Sequence, residues 1–143
     1  MTWPKPRATS ARLNQAFVRL GLVPDTGGTY TLPRIVGPAK AAKLMFLGDF
    51  VDGGEAERLG LVNRAVPEDR LDAEAAEWAR RLAAAPTLAL AGIKALLRGT
   101  CRRSFEEQAE AERIAQLELG RSADFREGVQ AFLDKRPPRF QGR

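Results

Sequence analysis

Hydrophobic residues recur every three or four positions along most of this chain, which is the spacing of one face of an α-helix. The clearest example runs from about Asp69 to Ala84, where charged side chains occupy the opposite face. Its apolar face consists of Leu71, Ala75, Trp78, Ala79 and Leu82. Further helical segments are predicted after Pro38, Asp52, Pro86, Ser104 and Ser122. The pattern therefore predicts a predominantly helical chain with about seven helical segments and almost no strand.

Local signals mark where these helices begin and end. Pro38 and Pro86 stand at the first helical turn, where proline is tolerated because that N–H has no partner in a helix. Asp52 and Ser104 are each followed three residues later by glutamate, which is the spacing of a capping box. Glycine residues stop the predicted helices. They are Gly21, Gly48, Gly60, Gly99 and Gly120.

Three regions are predicted along the chain. Residues 1–10 contain two prolines and resemble no helical pattern, so we expect an extended or disordered arm. Residues 11–66 are expected to start with a short helix to Leu20 and to contain the one plausible strand, Leu61 to Val66. Residues 67–143 are expected to be helical. The simplest interpretation of their apolar faces is a packed core, which would include Trp78, Ile93, Leu97 and Phe125.

Composition restricts the possible chemistry. The 143 residues carry a net charge of +5, one cysteine and no histidine. Without histidine, catalysis by Ser-His-Asp or Cys-His groups and histidine-bound metals are excluded within this chain, so any acid or base must be a carboxylate. Cys101 alone forms no intramolecular disulfide and no metal cluster. We therefore expect no metal and a reducing, cytoplasmic location.

The positive charge leaves the choice of partner open. An excess of Lys and Arg can attract an anionic partner, such as a phosphate-bearing small molecule or a nucleic acid. Here the charges alternate in sign along the helices, which favours an ordinary solvated surface and no nucleic-acid partner. No apolar run approaches the roughly 20 residues that span a bilayer. We therefore expect no membrane partner.

One carboxylate, Asp25, lies between a proline and a pair of glycines in the segment Gly21–Gly28. Pro24 restricts the backbone before Asp25, and the glycines permit a tight turn and close approach of a ligand. If the apolar neighbours pack around Asp25, desolvation raises its pKa and makes it a better proton acceptor. Those neighbours are Leu20, Leu22 and Val23. An ordinary surface turn is the alternative interpretation.

Four further segments follow in a characteristic order: Leu32–Gly37, Ala41–Gly48, Ala56–Val62 and Glu127–Pro137. From about Ala11 onward the chain resembles the C-terminal half of the crotonase (enoyl-CoA hydratase/isomerase) superfamily. The resemblance implies the C-terminal helical part of a crotonase-like α/β (ββα superhelix) fold, with the N-terminal sheet core absent. It also implies an acyl-CoA thioester as substrate, no separate cofactor, and assembly as a homotrimer or hexamer or with a partner chain.

The resemblance also implies roles for individual residues. Asp25 is the proton carrier, with Gly21 and Pro24 beside the substrate. Hydratases of the superfamily usually carry a glutamate eight residues before this aspartate, and here that position is Phe17. This difference favours the isomerase-like members, and the loop most resembles the 1,2-epoxyphenylacetyl-CoA isomerases.

Near the C-terminus, Phe132 and Lys135 match a motif that approaches the CoA nucleotide. A cation beside a phosphate is reasonable chemistry. The alternative is that Phe132 belongs to the core and that Lys135 is simply the basic end of a helix, where the helix dipole favours it. The sequence leaves both interpretations open.

The two oxyanion-hole segments of the superfamily have no counterpart in this sequence. Loss of one oxyanion donor costs roughly 100- to 1,000-fold in rate, so we expect the chain alone to be nearly inert, as a truncated product or half of a split enzyme. The N–H groups of Gly27 and Gly28 are a competing anion site. A non-catalytic helical assembly module is the alternative function.

Overall fold

The computed structural model describes residues 5–143. The chain divides into two compact units, Met1–Glu77 and Trp78–Arg143, and the boundary in the sequence falls within a helix. No single helix in the described part of the chain is long and apolar enough to cross a membrane. One bent pair, Glu68–Ala83 with Thr87–Arg102, reaches that length and composition only when its two helices are counted together.

The first unit combines short strands with helices. Its strands are β1 (Pro6–Ala8), β2 (Arg12–Leu13), β3 (Val51–Asp52) and β4 (Arg64–Val66). Its helices are α1 (Gly28–Val36), α2 (Pro38–Leu47) and α3 (Gly53–Arg58), and 3₁₀ turns cover Ala16–Leu20 and Glu68–Arg70. β1 pairs in parallel with β4, with Ala8 opposite Val66. β2 pairs antiparallel with β3, with Leu13 opposite Val51.

The core of the first unit lies between α1 and α2. Leu32, Ala41 and Leu44 are buried there, and half-buried apolar side chains from α1, α2, β3 and the end of α3 pack around them. Pro33 lies within α1 and does not end it, although proline contributes no N–H to the helix. The helix instead ends at Gly37, whose N–H donates to the Pro33 carbonyl at 3.0 Å.

The second unit consists of helices. They are α4 (Leu71–Ala83), which runs across the boundary between the units, α5 (Thr87–Gly99), α6 (Phe105–Leu119) and α7 (Ala123–Leu133). The capping box at Ser104 is confirmed, because its hydroxyl accepts from the Glu107 N–H at 3.2 Å while the Glu107 carboxylate accepts from the Ser104 N–H at 2.8 Å. The described residues form seven α-helices and four strands of two or three residues each, which confirms the prediction of a predominantly helical chain.

Of the two alternatives for the N-terminal arm, the disordered one is wrong from Pro6 onward and the extended one holds there; residues 1–4 lie outside the described residues. Pro6–Ala8 forms β1, and the next N–H, of Thr9, donates to the Val66 carbonyl at 2.8 Å. The helix expected from Ala11 to Leu20 is also wrong over its first half, because Arg12–Leu13 forms β2 and only Ala16–Leu20 is helical. In both segments pairing with a distant strand replaces the local preference.

The predicted core of the second unit is also partly wrong. Trp78 is half-buried, but Ile93, Leu97 and Phe125 are each more than half exposed. Their helical spacing gives a true apolar face, but no element of this unit covers it. An apolar groove of about 470 Å³ lies along the same unit, and we call it the α7 groove. Its lining includes Leu88, Leu119, Phe125, Val129, Phe132 and Phe140.

Candidate active site

Asp25 lies on a tight turn directly before α1. The Asp25 carbonyl accepts the Gly28 N–H at 2.8 Å, and the Gly27 carbonyl accepts the Thr31 N–H at 2.9 Å. Between these bonds, Thr26 and Gly27 both adopt left-handed conformations, with φ of 47° and 79°. Because Thr26, unlike glycine, reaches this region only at a steric cost, the turn's hydrogen bonds must hold it in this form, and they hold the backbone of Asp25 with it.

The inner side of this turn is closely packed. A Cβ atom at Gly28 would lie 3.1 Å from the Pro24 Cβ and 3.7 Å from Gln15 Oε1, so a larger residue here would press against Pro24. Within the described residues, Gln15 Oε1 is the one buried side-chain nitrogen or oxygen atom without a hydrogen-bond partner. Gly21, with φ of 70°, ends the preceding 3₁₀ turn through its N–H to the Val18 carbonyl. Gly21 and Pro24 therefore shape the loop that carries Asp25.

The apolar enclosure expected around Asp25 is not present in the described chain. Asp25 is exposed, and Leu20, Leu22 and Val23 are exposed as well, with Val23 at 79%. The Thr26 hydroxyl donates to Asp25 Oδ1 at 3.2 Å. Because these three side chains are exposed, they form no apolar enclosure around the carboxylate. The catalytic role of Asp25 stays a prediction.

The competing anion site at Gly27 and Gly28 is weakened by the same geometry. The Gly28 N–H already donates to the Asp25 carbonyl. An oxyanion hole needs donors that are free to point at the developing charge. One of the two expected donors is therefore committed to the turn itself.

The other predicted site residues lie at the end of α7. Phe132 is 83% exposed, and Lys135, three residues later, is exposed on a left-handed turn with φ of 53°. The Lys135 N–H donates to the Phe132 carbonyl at 3.2 Å, and the Arg136 N–H donates to the Ala131 carbonyl at 3.0 Å. The interpretation of Phe132 as a core residue is wrong. The structure brings Phe132 and Lys135 together at one exposed turn.

A carboxylate on α7 holds the chain that follows this turn. Glu127 accepts two hydrogen bonds from the Arg136 guanidinium, at 2.7 and 3.0 Å, and one from the Arg139 N–H at 2.7 Å. Asp134 accepts from Arg136 Nε at 3.3 Å. We call these four residues the Glu127 clamp. The Arg136 hydrogen bonds, followed by that of Arg139, lower the pKa of Glu127 to about 2, and the hydrogen bonds to Glu127 raise the pKa of Arg136.

A second carboxylate holds the C-terminal tail. Asp124 is only 5% exposed, and its two oxygens accept the N–H groups of Gln141 at 2.6 Å and Gly142 at 2.9 Å. The Asp124 N–H in turn donates to the Arg143 carbonyl at 3.0 Å. Sequence reasoning missed the partners of Asp124 and Glu127, which lie well beyond one helical turn. The available signal was a pair of acidic residues, three apart, at the start of a helix with a basic tail.

The described residues 5–143 contain no group of three or more His, Cys, Asp or Glu side chains that could hold a metal ion. Cys101 is a free, exposed thiol.

Comparison with known proteins connects these features. The family model for enoyl-CoA hydratase/isomerase matches residues 7–143. This chain belongs to that family. Among curated members, it is 45% identical over 136 residues to a probable enoyl-CoA hydratase of Rhodobacter capsulatus, covering 95% of this chain and 53% of the relative. It is 42% identical to the 1,2-epoxyphenylacetyl-CoA isomerase of Escherichia coli, covering 95% of this chain and 52% of the relative.

Solved structures of the family share the fold. An enoyl-CoA hydratase subunit I from Geobacillus kaustophilus superposes with a TM-score of 0.92 at 38% identity, covering 96% of this chain and 54% of that protein. A protein described as a putative enoyl-CoA hydratase, from Streptomyces coelicolor, gives a TM-score of 0.89 at 42% identity, covering 95% of this chain and 50% of that one. The expected superfamily and its crotonase-like fold are confirmed. The chain spans about half the length of the family members that it matches.

Proposed function

We propose that this chain supplies the acid–base carboxylate, Asp25, to an acyl-CoA isomerase or hydratase. The observation that carries the proposal is the turn before α1, which holds Asp25 in one backbone position while leaving its carboxylate exposed. Membership of the enoyl-CoA hydratase/isomerase family supports a CoA thioester as the substrate. The thioester is itself the activated group, so the proposed reaction needs no separate cofactor.

The proposed reaction moves a proton at a carbon close to the thioester carbonyl. Asp25 takes the proton from one carbon and returns it to another, while negative charge develops on the carbonyl oxygen. That charge needs two preorganised N–H donors. We place these donors, together with the sheet core of the fold, in the half of the family members' length that this chain does not match. In the described residues β1 pairs with β4 and β2 pairs with β3, and each of these sheets has only two strands. Sheets this small are consistent with that placement.

Isomerisation is the form of the reaction that we favour. A hydratase mechanism of the kind that uses a glutamate eight residues before Asp25 would require that glutamate, and Phe17 stands there. The similarity to a 1,2-epoxyphenylacetyl-CoA isomerase supports a ring-epoxide substrate of phenylacetate-type catabolism. The similarity to a probable enoyl-CoA hydratase is of the same order, so identity alone does not separate the two reactions. Chromatography of the products distinguishes the two reactions, because hydration adds a water molecule to the substrate and isomerisation does not.

We further propose that Phe132 and Lys135 contact the CoA nucleotide. Phe132 offers an exposed aromatic face for an adenine ring, and Lys135 offers an ammonium for a phosphate. The active form would be a homotrimer or hexamer, or would include a partner chain, in the cytoplasm. These assignments extend the same proposal to binding and assembly.

The role of Asp25 is tested by Asp25→Asn, which keeps the shape of the side chain and removes its basicity. We expect turnover of 3-enoyl-CoA and epoxide-type substrates to fall by about 100-fold or more. Turnover is measured in the complete assembly, in which a polypeptide corresponding to the other half of the family members accompanies this chain. Asp72→Asn, at an exposed aspartate on α4, is the matched control and should leave turnover unchanged. Unchanged turnover in Asp25→Asn would contradict the proposal.

A helical assembly module without catalysis is the alternative function. It is favoured by the exposed apolar side chains of α7, which include Phe125, Val129, Phe132 and Leu133. Contiguous apolar patches of this kind commonly mark interaction sites. Light scattering on the purified chain tests it: a clean, compact monomer would argue against an assembly role, and a defined oligomer of an inactive chain would support it.

A further inference from the structure

The turn that carries Lys135 is unusual because a residue other than glycine adopts a left-handed conformation there. Lys135 has φ of 53°, directly after the last residues of α7. This position at a helix end is usually glycine, since a Cβ atom in this region is too close to the next carbonyl. A lysine is therefore kept in this conformation only if the surrounding structure holds it.

The Glu127 clamp supplies that hold. Arg136 follows Lys135 immediately, and its guanidinium meets the Glu127 carboxylate through two parallel hydrogen bonds of 2.7 and 3.0 Å. Two parallel bonds fix orientation as well as distance. Glu127 also accepts the Arg139 N–H, and Asp134, directly before Lys135, accepts from Arg136 Nε. The residues on both sides of Lys135 thus belong to one network anchored on α7.

The clamp also reduces the negative charge that surrounds Lys135. Two carboxylates, of Glu127 and Asp134, lie close to this turn and would repel a phosphate if they were unpaired. Both instead pair with the Arg136 guanidinium, at 2.7 Å and 3.3 Å. An anion approaching Lys135 therefore meets less negative charge than the sequence alone suggests.

We propose that Glu127 is a positioning residue for coenzyme A: it holds the turn that presents Phe132 and Lys135 to the CoA nucleotide. This inference rests on the proposed nucleotide contact of those two residues. Glu127 does not touch the ligand. It acts through Lys135 by keeping the left-handed turn formed before CoA arrives, so that binding does not have to order the turn.

The test uses Glu127→Gln, with Glu110→Gln as its matched control. Glu110 forms the same two-bond pair, with Arg113 at 2.7 and 2.7 Å, but on the exposed face of α6. Both variants remove one negative charge, and that change alone strengthens binding of an anion. The probe is the fluorescent analogue etheno-CoA, and its affinity for the 143-residue chain is measured by fluorescence polarisation at fixed salt. We expect about tenfold weaker binding for Glu127→Gln and equal or slightly tighter binding for Glu110→Gln.

A double-mutant cycle with Lys135→Ala separates positioning from a general structural effect. If Glu127 acts through Lys135, Glu127→Gln has no further effect once Lys135 is alanine. Additive losses, or wild-type affinity in Glu127→Gln, would overturn the inference. Circular dichroism checks that each variant is folded. If Glu127→Gln does not fold, Arg136→Lys serves instead, because it keeps the charge, loses the two-bond geometry and should weaken binding in the same direction.

The experiment distinguishes this inference from the proposal beneath it. If Lys135→Ala weakens etheno-CoA binding while Glu127→Gln does not, the nucleotide contact stands and only the positioning role fails. If the wild-type chain does not bind etheno-CoA, or if Lys135→Ala binds as well as wild type, the nucleotide contact fails and the positioning role fails with it.

Discussion

The junction between β1 and α3 leaves no room for a side chain at Gly53. The Gly53 N–H donates to the Thr9 carbonyl at 3.1 Å, which fixes the start of α3 against the end of β1. A Cβ atom built on Gly53 would overlap the Ala8 carbonyl oxygen and lie 2.9 Å from the Thr9 Cα, whereas ordinary contacts are 3.4–4 Å. Both neighbours are backbone atoms, so neither can rotate away. We predict that Gly53→Ala separates β1 from α3.

The size of the effect follows from what must move. Overpacking a well-packed position typically costs 1–3 kcal/mol, and the obstruction here is backbone on two sides, so we expect a loss of about 3 kcal/mol in the free energy of unfolding. Urea denaturation followed by circular dichroism measures it. The β1–β4 pairing should weaken at the same time, which hydrogen exchange at the Thr9 N–H reports, since that group donates to the Val66 carbonyl.

The neighbouring glycine is the control. A Cβ atom on Gly54 would meet only Asp52 Oδ1, at 3.4 Å, which is an ordinary contact. Gly54→Ala restricts the unfolded chain without a clash and should therefore stabilise the protein by about 0.4–1 kcal/mol. The two variants make the same chemical change in the first turn of the same helix with opposite expected signs. Equal effects on stability, or a stable Gly53→Ala with unchanged exchange, would refute the packing argument.

Two further predictions concern the carboxylates of α7. Asp124→Ala should release the C-terminal tail and lower the free energy of unfolding by about 3 kcal/mol, because two hydrogen bonds to a charged group are each worth at least about 1.5 kcal/mol. Faster hydrogen exchange at the Gln141 and Gly142 N–H groups would confirm this prediction, and unchanged exchange would contradict it. The pKa of Glu127 is lowered from 4.5 to about 2, so its pairing with Arg136 stabilises the fold above about pH 4.5 and is lost as the pH falls toward 2. Thermal unfolding measured across that pH range should show the melting temperatures of wild type and Glu127→Gln converging as the pH falls. A difference in melting temperature that stays constant with pH would argue against a stabilising Glu127–Arg136 pair.

Local interactions account for what the sequence determined by itself. The helix starts at Asp52 and Ser104 were predictable, because each cap joins groups three residues apart, and both caps are formed, with the Glu55 N–H 2.8 Å from Asp52 Oδ1. The turn at Asp25 was predictable for the same reason, since proline and glycine restrict or permit backbone angles within a few residues. The order of the later motifs identified the superfamily.

Tertiary structure decided the features whose partners lie far along the chain. Residues 6–8 are a strand only because Arg64–Val66 lies beside them, and no periodicity within a three-residue segment can show that. The same limit applies to Glu127, whose charge is committed to Arg136 across a turn. Helical spacing correctly gave the apolar faces of α5 and α7, but it could not say which faces are covered. Burial depends on what packs against a helix, and Ile93, Leu97 and Phe125 have nothing in their unit to cover them.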